Sequence, residues 1–208
     1  QKRYPQFDAD GGWLDIDAGF VDVAAVTRAL REALRVRGVC VAENSVLRGI
    51  ARSGRSWSVA TAAGSVESDV LVITAGLGTN EVLELVPGCS VRFPLRPDRP
   101  SQSKYFIPPA RMRGLFTEAA LPVFAYLDIG IYGHPLYDGK TPGVKIGFYH
   151  PPDAALVPSR IGSVEDFVAE CMPGLRGAEA VDVAEASGVD GCSYDLVADD
   201  DFILGPVP

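Results

Sequence analysis

The sequence predicts an α+β protein, a largely antiparallel sheet joined to an incomplete α/β unit, on three observations. Residues 122–150 hold two β-prone apolar runs separated by a turn rich in Asp, Gly, Lys and Pro, the pattern of paired antiparallel strands. Residues 22–42 run helix, glycine, short apolar strand, the punctuation of an α/β unit. Residues 87–109 are dense in Pro and Arg and read as a crossover between two subdomains.

Composition bounds the rest. The chain has 208 residues, 47% hydrophobic and 22% charged, ordinary for a globular protein. A chain of this length buries roughly 70% of its unfolded surface as one domain or two small ones. The net charge of -8 argues against a nucleic-acid partner, which needs clustered Lys and Arg. No apolar run approaches the ~18 residues of a membrane span, so no membrane partner is expected. Cys40, Cys89, Cys171 and Cys192 are widely spaced without a CxxC pair, which weakens zinc and thioredoxin-like readings and predicts a reducing, cytoplasmic setting. Gln1 opens the chain and the only methionines are Met112 and Met172, so the chain is expected to be part of something longer.

In order, residues 1–19 hold short β-like pieces around Gly11-Gly12-Trp13-Leu14, and Asp8, Asp10, Asp15 and Asp17 lack the spacing of a calcium loop. Asp22 reads as an N-cap for a helix with Val23, Val26, Leu30, Ala33 and Leu34 at helical spacing and Gly38 at its end. Val39–Ala42 reads as a strand, and Val46–Arg52 with Trp57–Thr61 as a hairpin followed by a short strand near Val66. Asp69–Gly76 is apolar and ends in small residues, which predicts a fully buried parallel strand. It runs into Gly76-Leu77-Gly78 and a short helix from Glu81 to Leu85, an arrangement that can cradle phosphate, although the third glycine of a dinucleotide fingerprint is missing. Along 144–149, Val144, Ile146 and Phe148 alternate with Lys145, Gly147 and Tyr149, so Lys145 projects from the face opposite the core. It is there either a solvated lysine or a functional cation under something that covers the face. Ser163 caps a helix that stops at Pro173-Gly174. The tail carries Gly191-Cys192-Ser193-Tyr194 and then Asp199-Asp200-Asp201, read as a solvated turn.

The order of RYP near the start, SDVLVITAG, the crossover, IYGHP, GVKIGFYH, the helix ending in CMPG, and GCSYD before DDFILG resembles flavin-dependent amine oxidases of the monomeric sarcosine oxidase type, with their N-methyltryptophan and pipecolate oxidase relatives. The resemblance covers essentially the whole chain, as the middle portion of such an enzyme. It implies a glutathione-reductase-like FAD-binding domain contributed by residues 1–90, an antiparallel substrate-binding domain over 91–190, and a return toward the FAD domain over 191–208.

Residue by residue, Lys145 matches the family lysine beside the flavin that promotes reaction with oxygen, where a fixed cation stabilises the negative charge developing on superoxide. Tyr132 matches a tyrosine of the substrate pocket, its alternative role being a cross-strand packing aromatic. Cys192 matches the cysteine that forms a thioether to FAD in covalently flavinylated members, its alternative being a buried structural thiol. Ala75 and Gly76 match a segment beside the cofactor, and Val46 lies near the adenine end. His150 becomes a pocket residue if the register shifts by one, because Tyr149-His150 stands where many members have a single histidine after Gly-Tyr. The family's nucleotide-binding glycine motif and the basic residue that grips the substrate carboxylate have no counterpart here.

Three functions follow. The first is an oxidase of a secondary amine or N-alkyl amino acid, with hydride passing to FAD and oxygen returning as hydrogen peroxide, its partners the amine and oxygen. The second is a truncated, catalytically silent product, and the third a small nucleotide-binding module using residues 76–79.

Overall fold

The structure is a computed structural model that describes residues 3–97, 103–137, 139–148, 161–183, 195–197 and 201–207. It divides into two compact units, Asp22–Arg99 with Ser193–Pro208, and Gln1–Val21 with Pro100–Cys192. Among the described residues no helix is long and apolar enough to cross a membrane.

The first unit opens with α1 (Val23–Val36), capped by the Asp22 carboxylate, which accepts from the Ala25 amide at 2.9 Å. The helix stops at Gly38, whose φ of 71° a residue with a Cβ adopts only under strain. The apolar stripe read from the sequence is present, yet no residue of α1 is buried. The strand expected at Val39–Ala42 does not form. The amide of Val39 is taken by the carbonyl of Leu34 as the helix closes, which removes a donor a sheet would need.

A three-stranded antiparallel meander follows: β1 (Leu47–Ser53), β2 (Ser56–Thr61) and β3 (Gly64–Ser68), as the turn residues predict. The buried parallel strand expected at Asp69–Gly76 is corrected. Residues 70–75 join no sheet, and Val70 and Val72 are 73% and 76% exposed. A parallel strand is made by its neighbours, and none of the described strands pairs with this segment. Leu71 and Ile73 turn inward to an open apolar cleft with Leu47, Ile50, Val59 and Val82. A 3-10 turn at Gly76–Gly78 leads into α2 (Thr79–Glu84), held by buried Leu83 and Val86. The Asn80 amide imitates a strand partner, accepting from the Phe93 amide and donating to the Phe93 carbonyl, both at 2.8 Å. Two short strands, β4 (Arg96–Pro97) and, far along the chain, Asp195–Leu196, pair antiparallel.

The second unit is built on β5 (Ser103–Ile107), β6 (Phe124–Tyr126), β7 (Ile131–His134), β8 (Val144–Phe148) and β9 (Glu179–Asp182). Their order is β6-β7-β8-β5-β9, and every pairing is antiparallel. The organising pair of the sequence is therefore real, with the first apolar run broken into β6 and β7 by a turn. The alternation read along 144–148 holds: Val144, Ile146 and Phe148 are buried, and with Phe106 and Ile131 they meet α3 (Val164–Cys171) through Val164, Phe167 and Val168. Ser163 caps α3 by accepting from the Asp166 amide, and Lys104 ties the sheet to Glu165 on the helix. Gly133 is required by this packing, because a Cβ there would lie 2.2 Å from Phe124 Cζ and 2.5 Å from the Lys145 carbonyl.

Residues 3–21 form no strand, contrary to the β-like reading of this stretch. They are fastened to the sheet unit by side chains and a backbone bond instead. Buried Gln6 donates to the carbonyls of Leu115 and Ala120, the Asp8 amide donates to the Cys171 carbonyl at 2.7 Å, and the Phe7 ring packs edge-on against Phe124 at 4.9 Å.

Candidate active-site face

Register places the candidate residues. Across β8, Lys145 faces His134 on β7 and Tyr105 on β5, while Gly147 faces Tyr132 and Ser103. Because strand side chains alternate, these groups share the sheet face opposite the buried core. Gly147 carries no side chain between its two neighbours, and across it Ser103 Oγ and Tyr132 Oη come within 3.5 Å. Lys145 Nζ stands 5.5 Å from the centre of the Tyr132 ring, where the π face attracts a cation. Lys145 is half-buried, and among the described residues no carboxylate pairs with it.

His134 is the member that sequence reasoning missed. Its Nδ1 lies 2.9 Å from the Pro135 carbonyl, and its ring stacks on Phe20 at 5.1 Å, with Phe20 edge-on to Tyr137 at 5.5 Å. Burial lowers its pKa below the ordinary histidine range, the contact with the Pro135 carbonyl works the other way, and the nearby Lys145 charge lowers it further. Two-residue spacing from Tyr132 already puts His134 on the same face, so a signal was there. Phe20 carries none, because its contact spans more than a hundred residues.

The structure thus brings Lys145 and Tyr132 together. His150 and Cys192 lie outside the described residues. Val46, Ala75 and Gly76 belong to the other unit, where Ala75 lines the open apolar cleft, Gly76 follows it with φ 57°, and exposed Val46 precedes the cleft residue Leu47. The cleft is walled by Leu47, Ile50, Val59, Leu71 and Ile73. Glu81, in the first turn of α2, is exposed beside the Gly76–Gly78 turn.

Comparison with known proteins gives the family. The family described as FAD dependent oxidoreductase matches residues 1–208. A human protein, peroxisomal sarcosine oxidase, is 28% identical over 225 residues, covering 100% of this chain and 54% of the relative. The chain therefore spans about half the length of the curated relative it matches. By the family match over its full length the chain belongs to the FAD-dependent oxidoreductases, a family whose cofactor is FAD.

Proposed function

We propose that this chain forms the substrate-side sheet and part of the cofactor side of an oxidase acting on the CH–NH bond of a secondary amine or N-alkyl amino acid. The observation that carries it is the half-buried Lys145 cation on the Tyr132 ring, with no carboxylate paired to Lys145 among the described residues. The chemistry FAD supplies when bound is acceptance of a hydride from the amine carbon and return of the electrons to oxygen, giving hydrogen peroxide. Lys145 supplies a fixed positive charge where negative charge develops on oxygen, and its low-dielectric setting strengthens that effect. Tyr132 offers an apolar ring to the substrate and a hydroxyl that orients it, while Val46, Ala75 and Gly76 contribute apolar surface and close backbone approach on the cofactor side. Cys192 is the proposed point of covalent attachment and His150 a further pocket residue. A reducing compartment is proposed from the dispersed cysteines.

The visible spectrum of the purified protein, repeated after acid precipitation, tests this. Yellow colour that stays with the precipitate supports covalent FAD at Cys192. Colour released to the supernatant keeps the oxidase and removes the thioether. A colourless protein that takes up no added FAD contradicts the reading. A second reading, a folded chain without turnover, is favoured by one observation: α1 buries no residue and Val70 and Val72 stand in solvent, so the apolar surface of the cofactor-side unit is uncovered.

A further inference from the structure

We propose that Phe20 controls access to the Lys145 face: residues 9–21 form a strap latched by this one ring, and its release opens the His134 end of the sheet. The use of the face rests on the oxidase reading; the strap rests on this chain's own geometry.

The strap is fastened firmly at one end only. Ahead of it, Gln6 is buried on two carbonyls, the Phe7 ring packs on Phe124, and the Asp8 amide donates to the Cys171 carbonyl. From residue 9 to residue 21 every residue is exposed. Beyond their chain neighbours, Gly11, Gly12 and Gly19 have no atom within 4 Å of where a Cβ would stand. The hydrogen bond of the segment, from the Asp17 amide to the Asp15 carboxylate, stays inside it. Among the described residues its ring contacts outward are those of Phe20, a stack on His134 at 5.1 Å with an interplanar angle of 13° and an edge-on approach to Tyr137 at 5.5 Å. A ring pair of this kind is worth about a factor of ten in an equilibrium, so this end is held loosely. The other end combines burial with several hydrogen bonds.

Register gives the latch its place. Phe20 lies on His134, which faces Lys145 across β7 and β8. The Ser103 and Tyr132 hydroxyls stand two residues further along their strands, across Gly147. The latched ring thus caps the His134 end of the face.

The test uses the full chain in a His150→Gln background, where His134 is the remaining histidine. Diethyl pyrocarbonate, which carbethoxylates neutral imidazole, reports whether His134 is reached. Trinitrobenzenesulfonate labelling, resolved by peptide mass with exposed Lys140 as internal reference, reports on Lys145. Phe20→Leu keeps an apolar side chain without the ring and is expected to speed both labels about tenfold. Equal rates with and without Phe20 overturn the latch. A response at His134 alone means that Phe20 shields one side chain and does not gate the face. A parent whose His134 reacts only in urea overturns the proposal as well, since a strap that never opens admits nothing. The parent alone carries a second readout, independent of how the variant folds: the His134 ring protons lie over the Phe20 π face and are expected upfield of their position in urea. No upfield shift overturns the stack. FAD uptake is followed by absorbance in the same samples. FAD bound without the Phe20 response overturns the strap and leaves the oxidase reading standing; the response without FAD uptake does the reverse.

Discussion

Lys145 Nζ lies 5.5 Å from the centre of the Tyr132 ring, and the two residues are diagonal neighbours across β7 and β8. The relationship depends on register. A slip of one residue would send Lys145 into the core and Val144 and Ile146 into solvent. The packing that fixes this register is therefore part of the site.

Gly133 is the tightest point of that packing. Gly133→Ala drives a methyl against both the Phe124 ring and the Lys145 carbonyl, and backbone cannot step aside as a side chain can. Urea denaturation is expected to show a loss of about 2–3 kcal/mol. Adding Phe124→Leu should restore only part of it, because the carbonyl clash stays. Full rescue would mean that the ring alone sets the limit.

Tyr126 makes an opposite prediction. Its hydroxyl is buried without a partner among the described residues, and burial raises its pKa to about 12. Tyr126→Phe removes an unpaired polar atom while keeping the ring against Phe167, so stability at neutral pH is expected to stay level or rise by up to about 1 kcal/mol. The folded pKa is raised, so the neutral phenol favours the fold below about 10 and that advantage is lost as pH climbs toward the folded value. The parent should lose stability through that window in alkaline urea titrations and the variant should lose less. Matching curves would contradict the assignment.

His134 acts on the acid side. Its folded pKa is depressed, so the neutral ring costs nothing above the ordinary value of about 6.5. As pH falls below that value the unfolded chain takes up the proton first, and stability declines until the folded pKa is passed. Denaturation midpoints measured from pH 7.5 down to pH 5, on the order of the window this shift opens, are expected to fall less steeply in His134→Gln. An unchanged slope would show that another group sets the acid limit.

Much of the fold was legible because its signals are local. Alternation at 144–148, the Ser163 cap and the turn residues around β1 and β2 each act within a few residues, and each is found in the structure. The failures at Val39–Ala42 and Asp69–Gly76 have one cause. Their apolar composition is strand-like, but a strand is a relation between segments, and no described segment pairs with either. The site divides the same way. Lys145 and Tyr132 were found through family resemblance and His134 could have been found through spacing, whereas Phe20 reaches the face only through the anchoring of Gln6 and Phe7 to distant residues.

The uncovered α1 gives a dynamic prediction. An isolated helix of its 14 residues is marginal in water, and its salt links Glu32–Arg35 and Arg31–Glu43 are exposed pairs worth little. Hydrogen exchange is expected to show α1 amides opening far more readily than those of β7 and β8. Equal protection would mean that the helix is covered in solution.

Lys145 is proposed to serve the reaction with oxygen. Stopped-flow absorbance on FAD-loaded protein separates reduction by an amine from reoxidation by oxygen. Lys145→Met is expected to slow reoxidation on the order of 10²-fold or more, the scale of removing one preorganised charge-stabilising group, with reduction nearly unchanged. Equal slowing of both steps, or none of either, would contradict the account.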